Sequence, residues 1–195
     1  MRWAAAALIC VALILGCGDG DGSDEVAGST AAAPTVSTAT EPPSGPVVRI
    51  CDRRLAAAAT AALREQGFRG RLGGMPVPSG TARLSVCEMA GASGEVSVSL
   101  DAATDAVRRY QFRVTETAQF SGGDPEHAPH TVKGVGDPRL GGAGANWLPR
   151  IHLLLSVRSH RVLIVDVSAD DLADDALRAA AIEISLDSWE RLGKG

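Results

Sequence analysis

Two histidines in one polar segment are the side chains of this chain best suited to acid–base chemistry. His127 and His130 lie three positions apart, and an aspartate and a glutamate precede them within residues 124–130. Imidazole can act as a general base, and a carboxylate can orient it. Two prolines interrupt the segment, which therefore lacks the helical His-Glu-x-x-His arrangement of zinc proteases. We interpret it as a solvated loop without a metal site, and a hydrolase site at His127 and His130 is the alternative.

Aromatic and glycine residues offer a second kind of chemistry, the binding of a ligand. Trp147 and Trp189 could line a ligand pocket, but we favour the interpretation that both are core or rim residues, with Trp147 kept as a ligand-binding candidate. His152 and His160 flank a strong strand pair and are interpreted as surface residues. The glycines near position 142 precede a strand instead of opening a helix, unlike a dinucleotide-binding loop. No cofactor is expected.

The amino-terminal segment is typical of an export signal. A basic residue precedes an uncharged run from Ala4 to Leu15. As a helix, this run would span about 18 Å, whereas the hydrocarbon core of a bilayer is about 30 Å thick. It is too short for a permanent transmembrane helix and suits a cleaved signal.

The end of that segment resembles the lipobox of bacterial lipoproteins. Residues 13–17 read Leu-Ile-Leu-Gly-Cys, with Leu15 where a small residue is more usual. The resemblance implies a signal peptide at residues 1–16, cleavage after Gly16, and acylation of Cys17. Acyl chains, palmitate among them, would then hold the protein at the cell membrane, on its extracytoplasmic face. An ordinary signal peptide with a chance cysteine is the alternative.

A change in composition separates this anchor from the rest of the chain. Residues 18–46 are rich in Gly, Asp, Ser, Thr, Ala and Pro, with Val26 and Val36 as the larger aliphatic residues. Such a stretch buries too little apolar surface to offset the entropy of ordering it. The expected organisation is a signal at 1–16, a lipidated cysteine and disordered tether at 17–46, and a globular domain at 47–195.

Cys51 and Cys87 are the cysteines that remain once Cys10 leaves with the signal and Cys17 is acylated. A lone pair in an exported protein is most simply a disulfide. The alternative, a redox-active dithiol, lacks the Cys-x-x-Cys spacing that lowers a thiol pKa. We therefore predict a structural disulfide.

Composition and charge exclude some functions. The chain is 45% hydrophobic and 22% charged, which is typical of a globular protein. Its net charge of −4 offers no broad cationic field for nucleic acid. Four acidic residues between positions 19 and 25 also argue against electrostatic attraction to anionic lipid.

Periodicity and turn residues predict an α+β fold, with helices packed on an antiparallel sheet in the order helix, hairpin, helix, loop, strands, helix. Residues 111–117 of the second helix also fit a strand, and the aspartates between 170 and 175 suit the amino end of the last helix. The expected elements are a helix at Asp52–Gln66, a hairpin of Arg83–Met89 and Glu95–Leu100, a helix capped by Asp101, a polar loop, strands at Ala145–Leu148, Ile151–Val157 and Arg161–Val167, and a helix at Asp170–Leu192.

A set of features spread over roughly residues 47–192 carries a family resemblance. They are Cys51 and Leu55 at the start of a helix, Cys87 in the next strand, Gly136 and Asp137 followed by Ala145 and Trp147, a valine-rich hairpin and a final alanine-rich helix. With these features the region resembles the small actinobacterial envelope lipoproteins of unknown function. A departure is Glu88 and Met89, where an aromatic residue often follows the second cysteine. The resemblance implies location and style of fold, and it brings no catalytic residues.

These observations favour a noncatalytic binding or accessory module of the cell envelope. Its expected partners are the membrane, through the lipid anchor, and an envelope protein, glycan or apolar ligand. The sequence holds no Gly-x-Ser-x-Gly run of the kind that carries the nucleophile in many hydrolases. An envelope hydrolase that uses the His127 and His130 loop is the second hypothesis.

Overall fold

The computed structural model describes residues 50–193, with the exception of residues 74, 75 and 82. The predicted signal, the predicted acylation of Cys17 and the predicted tether through residue 46 lie outside the described residues. The described residues belong to the region predicted as the globular domain.

One antiparallel sheet forms the central layer of the described region. Its seven strands are hydrogen-bonded in the order β1-β2-β3-β7-β6-β5-β4. The expected α+β class, with helices on an antiparallel sheet, is confirmed. The strands are β1 Val77–Gly80, β2 Leu84–Ala90, β3 Gly94–Asp101, β4 His130–Thr131, β5 Ala145–Leu148, β6 Leu153–Arg158 and β7 Arg161–Ala169, and the helices are α1 Arg53–Glu65, α2 Ala106–Phe120 and α3 Asp174–Gly193.

Side-chain alternation along the strands divides the core between the two faces of the sheet. On one face, Val96 and Val98 of β3 are fully buried with Leu63 of α1 and Ile184 of α3. This is the larger of the two clusters, because two helices cover that face.

Helix α2 covers part of the opposite face. Its Ala106 and Tyr110 are buried against Leu155 and Val162 of the central hairpin. Because the Tyr110 hydroxyl is a buried polar group, it needs a hydrogen-bond partner. The side-chain amide of Asn146 on β5 donates to it over 2.7 Å. Burial also raises the pKa of the Tyr110 hydroxyl.

The predicted first helix and the predicted disulfide are both confirmed. Asp52 is the N-cap of α1 and accepts from the Leu55 backbone N–H at 2.7 Å. Gly67 follows the helix with φ of +100°, a conformation that favours glycine. Cys51, just before the cap, is bonded to Cys87 of β2, with a Cα–Cα distance of 4.9 Å. The bond therefore ties the start of α1 to the sheet.

Helix α2 begins later than the sequence predicts. Asp101 is the last residue of β3, and its carboxylate accepts from the Ala103 backbone N–H at 3.0 Å, so it shapes the turn that precedes the helix. The helix itself begins at Ala106, so the predicted capping role of Asp101 is wrong. The alternative strand at residues 111–117 is also wrong, because these residues are helical.

The last helix also begins later, at Asp174 instead of Asp170. Asp171 accepts from the Arg69 backbone N–H at 3.1 Å, so it joins the turn that follows β7 to the segment that follows α1. Asp174 and Asp175 lie in the first turn, where the helix dipole favours carboxylates, as predicted.

Two short strands and one strand boundary were not predicted. Strand β1 contains Pro78, which the edge of a sheet tolerates, and β4 has only two residues. Strand β6 starts at Leu153 instead of Ile151, because Pro149–Ile151 form a short 3₁₀ helix that ends at His152 with φ of 48°. Strand β6 therefore starts two residues later than predicted, because Pro149 and the left-handed conformation of His152 belong to the short helix that precedes it.

Candidate binding cleft

The candidate site is built on the tight turn between β6 and β7. Arg158 and Arg161 are the last paired residues, and Ser159 and His160 form the two-residue turn with φ of 48° and 65°. A turn with positive φ at both central positions matches the twist of the strands it joins. The predicted strands at Ile151–Val157 and Arg161–Val167 are thus joined as a hairpin, and its closing residues stand at one end of the sheet.

A loop rich in glycine passes beside this turn. The backbone N–H of Asp137 donates to the Val157 carbonyl over 2.7 Å, which fixes the loop to the end of β6. Gly136 packs directly on the backbone of Gly144, so closely that a β-carbon at Gly136 would overlap it. Both ends of the intervening 3₁₀ helix, Pro138–Gly144, are therefore held in place.

Between the loop and the turn lies an open cleft of about 560 Å³, which we call the arginine cleft. A volume of this size lies in the range of small-ligand sites, and the cleft combines apolar walls with a few charged groups. Its lining residues are Val132, Gly134, Gly136, Asp137, Pro138, Arg139, Arg158 and Ser159.

Asp137 and Arg139 form an ion pair in the wall of the cleft. The Arg139 guanidinium donates through Nε to Oδ1 at 3.0 Å and through Nη2 to Oδ2 at 2.6 Å. These side-chain hydrogen bonds and one from the Arg139 backbone lower the pKa of Asp137 from 3.8 to about 2. The Asp137 side chain is 12% exposed and that of Arg139 is 80% exposed, so the carboxylate is the fixed partner.

Arg158 forms the opposite wall and is held from two sides. Its Nε donates to the Val135 carbonyl over 2.8 Å. Its guanidinium carbon lies 5.5 Å from the centroid of the Trp189 ring, within range of a cation–π interaction. The charged head is therefore positioned by the loop and by α3 together.

Next to the Trp189 ring that contacts Arg158, a buried network of side-chain hydrogen bonds connects the sheet to α3. The indole N–H of Trp189 donates to the Ser156 hydroxyl over 2.8 Å, and that oxygen lies 3.1 Å from the Ser185 hydroxyl. All three residues are buried. Because buried polar groups are costly without partners, these hydrogen bonds among Trp189, Ser156 and Ser185 fix the position of α3 on the sheet. They also fix the orientation of the Trp189 ring toward Arg158.

The structure brings His127 close to a carboxylate in an exposed part of the loop. His127 Nδ1 lies 2.6 Å from Asp124 Oδ2, and the two side chains are 52% and 44% exposed. Asp124 also accepts from the Glu126 backbone N–H, and this bond and the contact with His127 lower its pKa. His130 Nε2 lies 3.0 Å from the Pro125 carbonyl. These contacts are local to the loop, as expected for a solvated segment.

Trp147 lies in the core and is not among the residues that line the arginine cleft. It is fully buried, its ring stacks on that of His152 at 6.2 Å, and its indole N–H donates to Asp174 over 3.4 Å. His152 Nε2 lies 3.6 Å from the same carboxylate. Asp174 therefore joins the first turn of α3 to β5 and to the end of the short 3₁₀ helix.

Two features are absent from the described residues, a metal-binding cluster and a helix that could span a membrane. Among residues 50–193, apart from the three undescribed positions, no three histidine, cysteine or acidic side chains are placed to hold a metal ion. In the same part of the chain, no helix combines the length and the hydropathy needed to cross a membrane.

The sequence did not single out the two arginines of the cleft. Arg139 and Arg158 are about twenty positions apart and come together only because the loop folds back onto the hairpin. The available signal was the Gly-Val-Gly-Asp-Pro run at 134–138, in which turn residues precede a charged position. Asp137 itself was noted only as part of a resemblance.

Comparison with known proteins gives no relative from which a role could be inferred. No protein-family profile, no curated protein and no solved structure matches the chain. The class defined by the fold is an α+β protein with an antiparallel sheet between helices, and its functional interpretation rests on its own residues.

Proposed function

We propose that this chain is an exported lipoprotein, anchored through Cys17 on the extracytoplasmic face of the cell membrane, and that its folded domain is a noncatalytic binding or accessory module of the cell envelope. The signal-like and lipobox-like residues at 1–17 support the proposed location in the cell. The disulfide between Cys51 and Cys87 fits an oxidising compartment.

The arginine cleft is the surface that we assign to binding. The observation that carries this assignment is the fixed position of its charged walls, because Asp137 is bonded to β6 through its backbone and Arg158 to Val135 and Trp189. Charged side chains held in place before binding lose little entropy when a ligand arrives. An exposed arginine without such support would lose more.

Photo-crosslinking in cells tests this assignment. A photoreactive amino acid is placed at Ser159, in the cleft, and in a matched protein at Glu65, an exposed residue at the carboxyl end of α1. We expect one envelope component to be crosslinked from position 159 and not from position 65. Equal yields from the two positions, or no product from position 159, would contradict binding at the cleft.

The anchor has its own test. Cells that make the protein are labelled with a clickable fatty-acid analogue, and the full chain is compared with Cys17→Ser. We expect the label on the parent and none on the variant. An unlabelled parent, or retention of the intact precursor in the cytosol, would contradict the proposed location at the membrane.

An envelope hydrolase at the His127 loop is the second candidate, favoured by the 2.6 Å contact between His127 and Asp124. An aspartate at Nδ1 orients the histidine of serine hydrolases in this way, although there the aspartate is buried. Replacing His127 and His130 by Ala distinguishes the two functions. Turnover by the parent on esters, amides or glycosides that the double variant loses would favour the hydrolase.

A further inference from the structure

The charge of the arginine cleft differs from that of the protein as a whole. The chain has a net charge of −4, but the cleft is lined by two guanidinium groups and one carboxylate. The carboxylate of Asp137 is ionised at neutral pH and is paired with Arg139. The lining therefore carries one net positive charge, and Arg158, which helps to lower the pKa of Asp137 by its charge, is the guanidinium without a hydrogen bond to that carboxylate among the described residues.

The surplus charge at Arg158 is presented in a defined orientation. The Val135 carbonyl takes the Nε donor, which leaves the donors of the two terminal nitrogens for a ligand. The Trp189 ring supports one side of the guanidinium and is itself buried. A half-buried cation is screened by salt less than one that is fully in water.

We propose that the arginine cleft binds a compact anionic group, a carboxylate or a phosphate, with Arg158 as its main partner. This inference rests on the proposed binding function and names the chemistry of its ligand. Guanidinium groups hold such planar or tetrahedral anions with paired hydrogen bonds.

The other lining residues define where the charge of the ligand sits. The Asp137 carboxylate repels an anion, so the ligand charge lies toward Arg158 and Ser159. Val132 and Pro138 offer apolar surface to the uncharged part of the ligand. Arg139, whose side chain is 80% exposed, adds a second guanidinium to the lining.

The test is a titration followed by NMR of the indole N–H groups in the full-length protein. The probes are inorganic phosphate, glycerol 3-phosphate, acetate and the dipeptide D-alanyl-D-alanine, with chloride at the same ionic strength as the reference. The Trp189 indole reports on the cleft through its contact with Arg158. That of Trp147, which donates to Asp174, serves as the internal control.

Two variants make the titration decisive. Arg158→Gln removes the main cation, and we expect it to weaken binding by about tenfold or more, as for the loss of a charged hydrogen bond. Arg64→Gln removes an exposed cation of α1 and should bind as the parent does. The parental position of the Trp147 indole resonance in Arg158→Gln without probe shows that the variant is folded, and Arg158→Met, which is also uncharged, serves in its place if it is not. Because the Trp189 resonance loses its contact with Arg158 in either variant, binding to the variants is measured by isothermal titration calorimetry.

A saturable shift of the Trp189 resonance in the parent and in Arg64→Gln, together with loss of calorimetric binding in Arg158→Gln, supports the proposal. The comparison of phosphate with carboxylate probes then identifies the source of the anion. No shift with any probe, or the same shift in Arg158→Gln, overturns it. Crosslinking from Ser159 without anion binding would refute this inference alone, whereas anion binding without crosslinking would refute the proposed function.

Discussion

The guanidinium of Arg158 lies over the indole ring of Trp189, 5.5 Å from its centroid. The same indole donates inward to the Ser156 hydroxyl over 2.8 Å. One side chain of α3 thus contacts both the wall of a surface cleft and a polar group at the centre of the core. A change at the buried end should therefore reach the cleft.

The buried hydrogen-bond network of Trp189, Ser156 and Ser185 gives the first prediction. Ser156→Ala removes the acceptor of the Trp189 indole and the neighbour of the Ser185 hydroxyl, which leaves buried polar groups without that partner. We expect a loss of about 1–3 kcal/mol in the free energy of unfolding, measured by urea denaturation. Ser168→Ala, at an exposed position of β7, is the control and should cost little. Equal stability of the two variants would contradict the role of Ser156.

Gly136 gives the second prediction. A methyl group at this position would overlap the backbone of Gly144, so Gly136→Ala must push the two ends of the loop apart. We expect a loss of about 1–3 kcal/mol, as for other overpacked sites, together with exchange broadening of the loop amides in NMR spectra. Gly193→Ala has open space and should leave both measurements unchanged. A stable, unbroadened Gly136→Ala would show that the loop is not held at this contact.

The third prediction concerns pH. The pKa of Asp137 is lowered from 3.8 to about 2, so the ionised form is favoured by folding. The stability that this carboxylate contributes is present above the unfolded value of 3.8 and is lost as the pH falls through about 2. In a carboxyl NMR titration, Arg139→Gln should raise the midpoint of Asp137 toward 3.8.

Asp124 is the internal control for that titration, since its pKa is lowered by the Glu126 backbone and by His127 instead. Its midpoint should not respond to Arg139→Gln. A midpoint of Asp137 that stays near 2 in the variant would show that Arg139 is not the cause of the shift.

The disulfide gives the fourth prediction. Replacing Cys51 and Cys87 together by Ala opens a loop of about 37 residues, and the chain-entropy relation gives a loss of about 4 kcal/mol in the free energy of unfolding. Chemical denaturation of the parent, with and without reductant, measures the same difference. An unchanged midpoint would mean that the bond adds nothing to the stability of the fold.

Much of the fold was predictable because its signals are local. The cap at Asp52, the glycine after α1 and the alternation in β3 each act within a few residues, and the bounds predicted for α1 and β3 lie within one residue of the observed ones. The starts of α2 and α3 were predicted too early. Asp101 accepts from the turn that precedes α2, and Asp171 accepts from the distant Arg69 backbone, a contact that the sequence alone does not reveal.

The candidate site was less predictable than the fold. Histidines and tryptophans were the natural candidates from residue type, yet Trp147 is in the core and His127 is bonded within its own loop. The cleft depends on a loop that returns to the hairpin and brings Arg139 beside Arg158. Such a long-range approach leaves no periodic signal in the sequence.

The most direct test of the account is the yield of crosslinking from position 159 in living cells, measured in three otherwise identical chains. The parent and Arg64→Gln should give the same crosslinked envelope component, while Arg139→Gln combined with Arg158→Gln should give little or none. The same yield in all three chains would contradict the claim that the arginine cleft is where this protein binds its partner.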